Sequence, residues 1–173
     1  MTEPSADTTT ENGLWIDAAV SQYEGRLLRY AQHLLGDAQQ ACDVVQDTFL
    51  KLCTANRTEL EDRLAPWLFT VCRNRALNVL RKEKRMKSFS VDAPPVAAAA
   101  QNGPAETTEQ RDTAECVQRL IAALPASQQE CLRLRFQGGL TYREIGEVAG
   151  LSVSNVGYLI HTALAEVRRR VAD

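Results

Sequence analysis

Apolar positions along the chain recur at steps of three and four, and segments that alternate apolar with polar residues are absent. That period predicts helices throughout and no sheet. Val20, Tyr23, Leu27, Tyr30, Ala31 and Leu34 mark a first helix, which ends at Gly36-Asp37, where a second begins. Ala41, Val44, Val45, Thr48, Phe49 and Leu52 give that second helix its apolar stripe. A third begins around Pro66, a residue tolerated in a first turn, and runs through Trp67, Leu68, Val71, Cys72 and Val79. Farther on, Cys116, Leu120, Ile121 and Leu124 predict a helix stopped by Pro125. Cys131, Leu132, Leu134 and Phe136 predict another before Gly138-Gly139.

The periodicity fails over residues 86–112, where Pro94-Pro95, the run Ala97 to Ala100, Asn102-Gly103-Pro104 and Thr107-Thr108 replace it. A flexible linker is expected there. The chain should therefore be all-α, with a disordered acidic tail over 1–13, one small helical domain over 14–85 and a second over 113–173. The second domain holds the sharpest local pattern. Thr141 and Glu144 have the spacing of a reciprocal capping box, Gly150 supplies a residue that tolerates positive φ, and Ser152 can cap a second helix. Ile145, Val148, Ala149 and Leu151 then face the stripe Val156, Ile160, Ala163 and Val167. Two short helices packed across a tight turn form a helix-turn-helix, a motif that points to DNA.

Charge changes the picture only once it is divided along the chain. The net charge is −2, yet residues 14–85 hold 11 basic and 9 acidic residues, and the acidic excess sits in the tail and linker. Arg73, Arg75, Arg81, Lys82, Lys84, Arg85 and Lys87 crowd together with Glu83 alone among them, a candidate phosphate-binding segment. Asn74 and Asn78, in the same stretch, can hydrogen-bond to exposed base edges. Cys42, Cys53, Cys72, Cys116 and Cys131 are widely spaced and odd in number, which favours small core residues in a reducing compartment over disulfides or a metal site. His33 and His161 are isolated. With no Gly-rich phosphate loop, nucleophile elbow or paired carboxylates, neither a catalytic residue nor a cofactor nor a metal is expected. The acidic first residues do not resemble a secretory leader and no run is long enough to span a bilayer, so a cytoplasmic location without membrane insertion is expected.

Leu27-Leu28-Arg29-Tyr30-Ala31, Gly36-Asp37 and the string from Ala41 to Leu50 resemble regions 2.1 and 2.2 of group IV, or extracytoplasmic-function (ECF), sigma factors of RNA polymerase. Pro66-Trp67-Leu68-Phe69 through Arg85 resembles regions 2.3 and 2.4. Leu124-Pro125, Leu140 to Ile145 and Val167-Arg168-Arg169-Arg170 resemble region 4. The resemblance implies a subunit that binds core RNA polymerase, directs recognition of promoter −10 and −35 elements and helps melt DNA. It implies docking on the β′ clamp helices through Asp43, Gln46, Asp47, Phe49 and Lys51, with further contact to the β subunit. It implies −10 contacts by Arg73, Asn74, Arg75, Asn78, Arg81, Lys82, Lys84 and Arg85, and an anti-sigma factor as a further partner. For −35 contacts it points to Arg143, Ser154, Asn155, Tyr158, His161, Thr162 and Arg168. One departure stands out: Gly157, Leu159, Thr162 and Leu164 occupy places where the family's recognition helix usually carries Lys or Arg.

Two other functions fit parts of the chain. One is a helix-turn-helix regulator whose first bundle senses a ligand or dimerises; the other is a thiol-based redox protein using Cys42, Cys72 or Cys131.

Overall fold

A computed structural model describes residues 6–87 and 117–172. Every regular element among them is helical. The chain divides into two units between Ala98 and Ala99, inside the segment expected to be a linker, and residues 88–116 with Cys116 lie outside the described residues. The first unit contains α1 (Ala6–Leu35), α2 (Ala38–Cys53), α3 (Arg57–Leu60) and α4 (Leu64–Lys87). The second contains α5 (residues 117–122), α6 (Ala126–Phe136), α7 (Tyr142–Ala149) and α8 (Val153–Ala172).

In the first unit α1, α2 and α4 pack pairwise. Gly36, at φ 71°, closes α1, and Asp37 caps α2 by accepting from the Gln40 N–H at 2.8 Å. The expected stripes meet at Leu27, Tyr30, Ala31, Val44, Val45, Leu52, Leu68, Phe69 and Cys72, all buried. Tyr30 and Phe69 meet edge to face, with centroids 5.4 Å apart. Each large aliphatic in this seam stabilises the fold by about 1.5–3 kcal/mol relative to exposure. Pro66 sits in the first turn of α4, where a missing N–H costs no intrahelical bond.

Three boundaries differ from the sequence reading. The acidic tail expected over 1–13 is helical from Ala6, and farther along α1 the Trp15 ring lies under the Arg57 guanidinium at 5.9 Å. Helix α3 was not anticipated; it is a single turn, and only the cap by Asn56, which accepts from the Thr58 N–H, marks it in the sequence. Helix α4 continues through Met86 and Lys87, which were expected to begin the linker.

The second unit is built on the helix-turn-helix. The Thr141 N–H donates to Glu144 Oε2 at 2.7 Å while the Glu144 N–H donates to Thr141 Oγ1 at 3.3 Å, completing the capping box. Gly150, at φ 71°, ends α7, and Ser152 Oγ accepts the Asn155 N–H at 3.2 Å to start α8. The two helices are bent 103° apart. Ile145, Val148, Val156, Ile160 and Ala163 are buried between them and against Cys131, Leu132 and Leu134 of α6. Phe136, expected in that stripe, is 66% exposed, since α6 ends there. No single helix among the described residues is long and apolar enough to cross a membrane.

Gly146 is the tightest point of this turn, because a Cβ there would lie 2.6 Å from the Leu151 carbonyl oxygen. Gly146→Ala should destabilise the second unit by about 1–3 kcal/mol. Hydrogen exchange read by mass spectrometry should show reduced amide protection in α7 and α8 and unchanged protection in α1, α2 and α4.

Candidate nucleic-acid and polymerase interface

Burial of one face of α4 fixes what its other face presents. With Leu68, Phe69, Val71, Cys72 and Ala76 turned inward, Asn74, Asn78, Arg81, Lys82, Lys84 and Arg85 are exposed. Asn78, Arg81, Lys82, Arg85 and Met86 line a groove of about 580 Å³ along the last turns of the helix. Arg81 Nη1 donates to Asn78 Oδ1 at 2.9 Å, so this pair presents N–H donors outward. Arg73 is half-buried. Arg75 is half-exposed and paired: its Nη1 donates to Asp47 Oδ2 of α2 at 2.7 Å. Glu83 is drawn towards α2 as well, accepting from Gln40 Nε2 at 2.6 Å.

On α2 the buried stripe leaves Asp43, Gln46 and Lys51 exposed and Phe49 half-buried. Leu50, 65% exposed, completes the ridge Asp43–Gln46–Leu50 at steps of three and four. Sequence reading passed over it, although a leucine off the helix's apolar stripe was a visible signal. Asp47 lies at the edge of this ridge and is engaged by Arg75.

On α8, Ser154, Asn155, Tyr158 and His161 are exposed together, and Arg168 is exposed two turns later. Thr162 does not join them. It is half-buried, accepts from Gln128 Nε2 of α6 at 3.3 Å, and has its hydroxyl 2.9 Å from the Tyr158 carbonyl of its own helix. Gly157, Leu159 and Leu164 are also half-buried, and a Cβ on Gly157 would touch the Tyr142 ring at 3.7 Å. The positions without Lys or Arg therefore lie partly against the domain. Arg143 is exposed and 3.6 Å from Glu147. Arg169 and Arg170 both hydrogen-bond to Glu166, holding its carboxyl well below the usual range, at about 2. These two arginines consequently offer less charge to a phosphate than their number suggests.

The cysteines divide into two kinds. Burial pushes the Cys72 thiol up to about 12 and the Cys131 thiol up to about 11, which leaves both protonated at neutral pH. Cys42 and Cys53, expected in the core, are exposed on α2, off its buried stripe. Thiol labelling of the folded protein near pH 7.5 should modify Cys42 and Cys53 and spare Cys72 and Cys131 until denaturant is added, with peptide mapping as the readout. Rapid modification of Cys72 in the folded chain would contradict the described packing.

Comparison with known proteins follows the same division. The Sigma-70 region 2 family model matches residues 19–86, and the Sigma-70, region 4 model matches residues 114–167. The ECF RNA polymerase sigma factor SigM of Bacillus subtilis is 26% identical over 81% of this chain and 85% of its own. The ECF sigma factor RpoE of Cereibacter sphaeroides is 30% identical over 63% of this chain and 59% of its own. Among solved structures, the sigma factor RpoE of Bartonella quintana, crystallised with the anti-sigma factor NepR, shares the fold with a TM-score of 0.60 at 23% identity, covering 96% of this chain and 97% of that one. With both of its helical units matched in order, the chain belongs to the sigma-70 family as an extracytoplasmic-function sigma factor, a subunit that directs promoter recognition for transcription initiation.

Proposed function

We propose that the two units divide this work among three exposed helix faces. The ridge Asp43–Gln46–Leu50 of α2, flanked by Lys51 and Phe49, docks on the β′ clamp helices of core RNA polymerase. The α4 face of Asn74, Asn78, Arg81, Lys82, Lys84 and Arg85 engages the −10 element and stabilises its opened strand. Phosphates are neutralised by the cations, and an unstacked base meets the donors of Asn78 and Arg81 in the groove beside Met86. The α8 face of Ser154, Asn155, Tyr158 and His161 reads the −35 element, with Arg143 and Arg168 as phosphate contacts. The work takes place in the cytoplasm. An anti-sigma factor is a further partner, supported by the crystallised complex of the structural relative from Bartonella quintana.

The observation that carries this reading is the exposed face of α4, where the cations Arg81, Lys82 and Arg85 stand with Asn74 and Asn78 opposite the buried stripe, beside the exposed Met86. The tether expected over residues 86–112 joins the units in this proposal; its first two residues, Met86 and Lys87, belong to α4, and the rest lies outside the described residues.

Transcription reconstituted with core polymerase on a promoter library tests the assignment. Replacing Arg81, Lys82 and Lys84 with Gln should weaken open-complex formation and flatten its salt dependence by about 0.7–0.9 slope units for each phosphate no longer neutralised, while core binding is retained. An unchanged slope in the folded variant would remove α4 from the DNA interface.

The −35 assignment makes a separate prediction. Asn155→Ala and His161→Ala should each change the selected upstream sequences, at a cost of about 1–3 kcal/mol for each base interaction removed. Thr162→Val, altering a side chain turned towards Gln128, should leave selection unchanged. Selection from a randomised −35 pool reads all three variants side by side.

A further inference from the structure

Helices α2 and α4 run antiparallel, and two polar contacts two turns apart bridge them: Asp47 with Arg75 at 2.7 Å, and Gln40 with Glu83 at 2.6 Å. Between these bridges Ala41, Val44 and Ala76 are buried, and the seam continues past them to Thr48 and Cys72, also buried. The two bridges differ in consequence. Gln40 is neutral, so its hydrogen bond orients Glu83, the one acid within the basic run 73–87, without taking charge from the run. Asp47 does the reverse, neutralising Arg75, which stands one turn from Asn78 on α4.

Asp47 also stands one turn after Asp43 and next to Gln46, at the border of the α2 ridge. Its side chain is 50% exposed and that of Arg75 is 42% exposed. A half-exposed ion pair is held weakly against solvent, so a cation arriving on a docking partner can exchange with it at little cost.

We propose that Asp47 is a positioning residue shared between two partners: in the free chain it holds Arg75, and when α2 docks on polymerase a basic group there takes over Asp47 and releases Arg75 to a DNA phosphate. Docking thus adds a cation to the α4 face only when polymerase is present, and the sigma factor alone is a poorer DNA binder than its basic run would make it. This inference rests on the proposed assignment of α2 to polymerase and α4 to DNA.

The test measures binding of the full-length chain to a labelled promoter fragment across a salt series, with and without saturating core polymerase. Without polymerase, Asp47→Asn should tighten DNA binding several-fold and steepen the salt slope by about 0.9 on duplex DNA. That gain should vanish in Asp47→Asn combined with Arg75→Gln and persist when Arg75→Lys, which keeps the charge, is the second change. Glu24→Gln, which removes an exposed carboxylate from α1, should leave the slope unchanged. With polymerase present, Arg75→Gln should flatten the slope by about 0.7–0.9, whereas without it the same change should have no effect. The proposal is overturned if Asp47→Asn has no effect on the free chain, if Glu24→Gln reproduces its effect, or if Arg75→Gln behaves alike in both settings. Failure of the underlying assignment is seen separately in the wild type, as absence of core binding or of a promoter complex, and the proposal falls with it.

Discussion

The first unit depends on one constraint: α4 must bury one face against both α1 and α2 to close a small three-helix core. Leu27, Tyr30, Leu52, Leu68, Phe69 and Cys72 meet there with essentially no exposure. A helix locked on one side by such packing cannot rotate, because a turn about its axis would expose leucines and bury arginines, each at a cost on the order of 1 kcal/mol or more. The outward direction of Asn74, Asn78, Arg81 and Lys82 is thus set by the inward direction of their neighbours. The ridge on α2 is fixed by the same contact. One apolar seam therefore orients both surfaces that the proposed function requires, and it brings them close enough for Asp47 to touch Arg75.

The second unit reaches the same end by a local route. Its apolar stripe is supplied by three helices, but the angle between α7 and α8 comes from a few positions: the capping box of Thr141 and Glu144, the left-handed Gly150 and the close approach at Gly146. With that angle fixed, Asn155, Tyr158 and His161 are left on the outside of α8. Their face is polar and carries no Lys, Arg, Asp or Glu. Discrimination among −35 sequences would then rest on neutral hydrogen bonding more than on phosphate attraction.

The helical periods, the caps and the helix-turn-helix were legible in the sequence because each is set by residues within a few positions of one another. Thr141 with Glu144, and Val156 with Ile160, are relations of that kind. Features set across larger separations were not legible. Asp47 and Arg75 are 28 residues apart, Gln40 and Glu83 are 43, and Gln128 and Thr162 are 34. Periodicity shows that a polar residue lies off the buried stripe, but not whether a neighbouring helix takes it up, so the contacts of Thr162 with Gln128 and of Arg75 with Asp47 could not be read from it. The same limit applies at element ends: Phe136 falls in the α6 period yet is 66% exposed, and Cys42 and Cys53 flank the stripe of α2 without entering it.

The central claim is that α4 and α8 contact different promoter elements when α2 is docked. Site-specific photo-cross-linking within the polymerase complex tests this most directly, with a photoreactive amino acid placed at Lys82 in one protein and at Tyr158 in another. The account predicts adducts within the −10 element from position 82 and within the −35 element from position 158, both dependent on core polymerase. Adducts from both positions within one element, or from position 82 to polymerase protein instead of DNA, would contradict it.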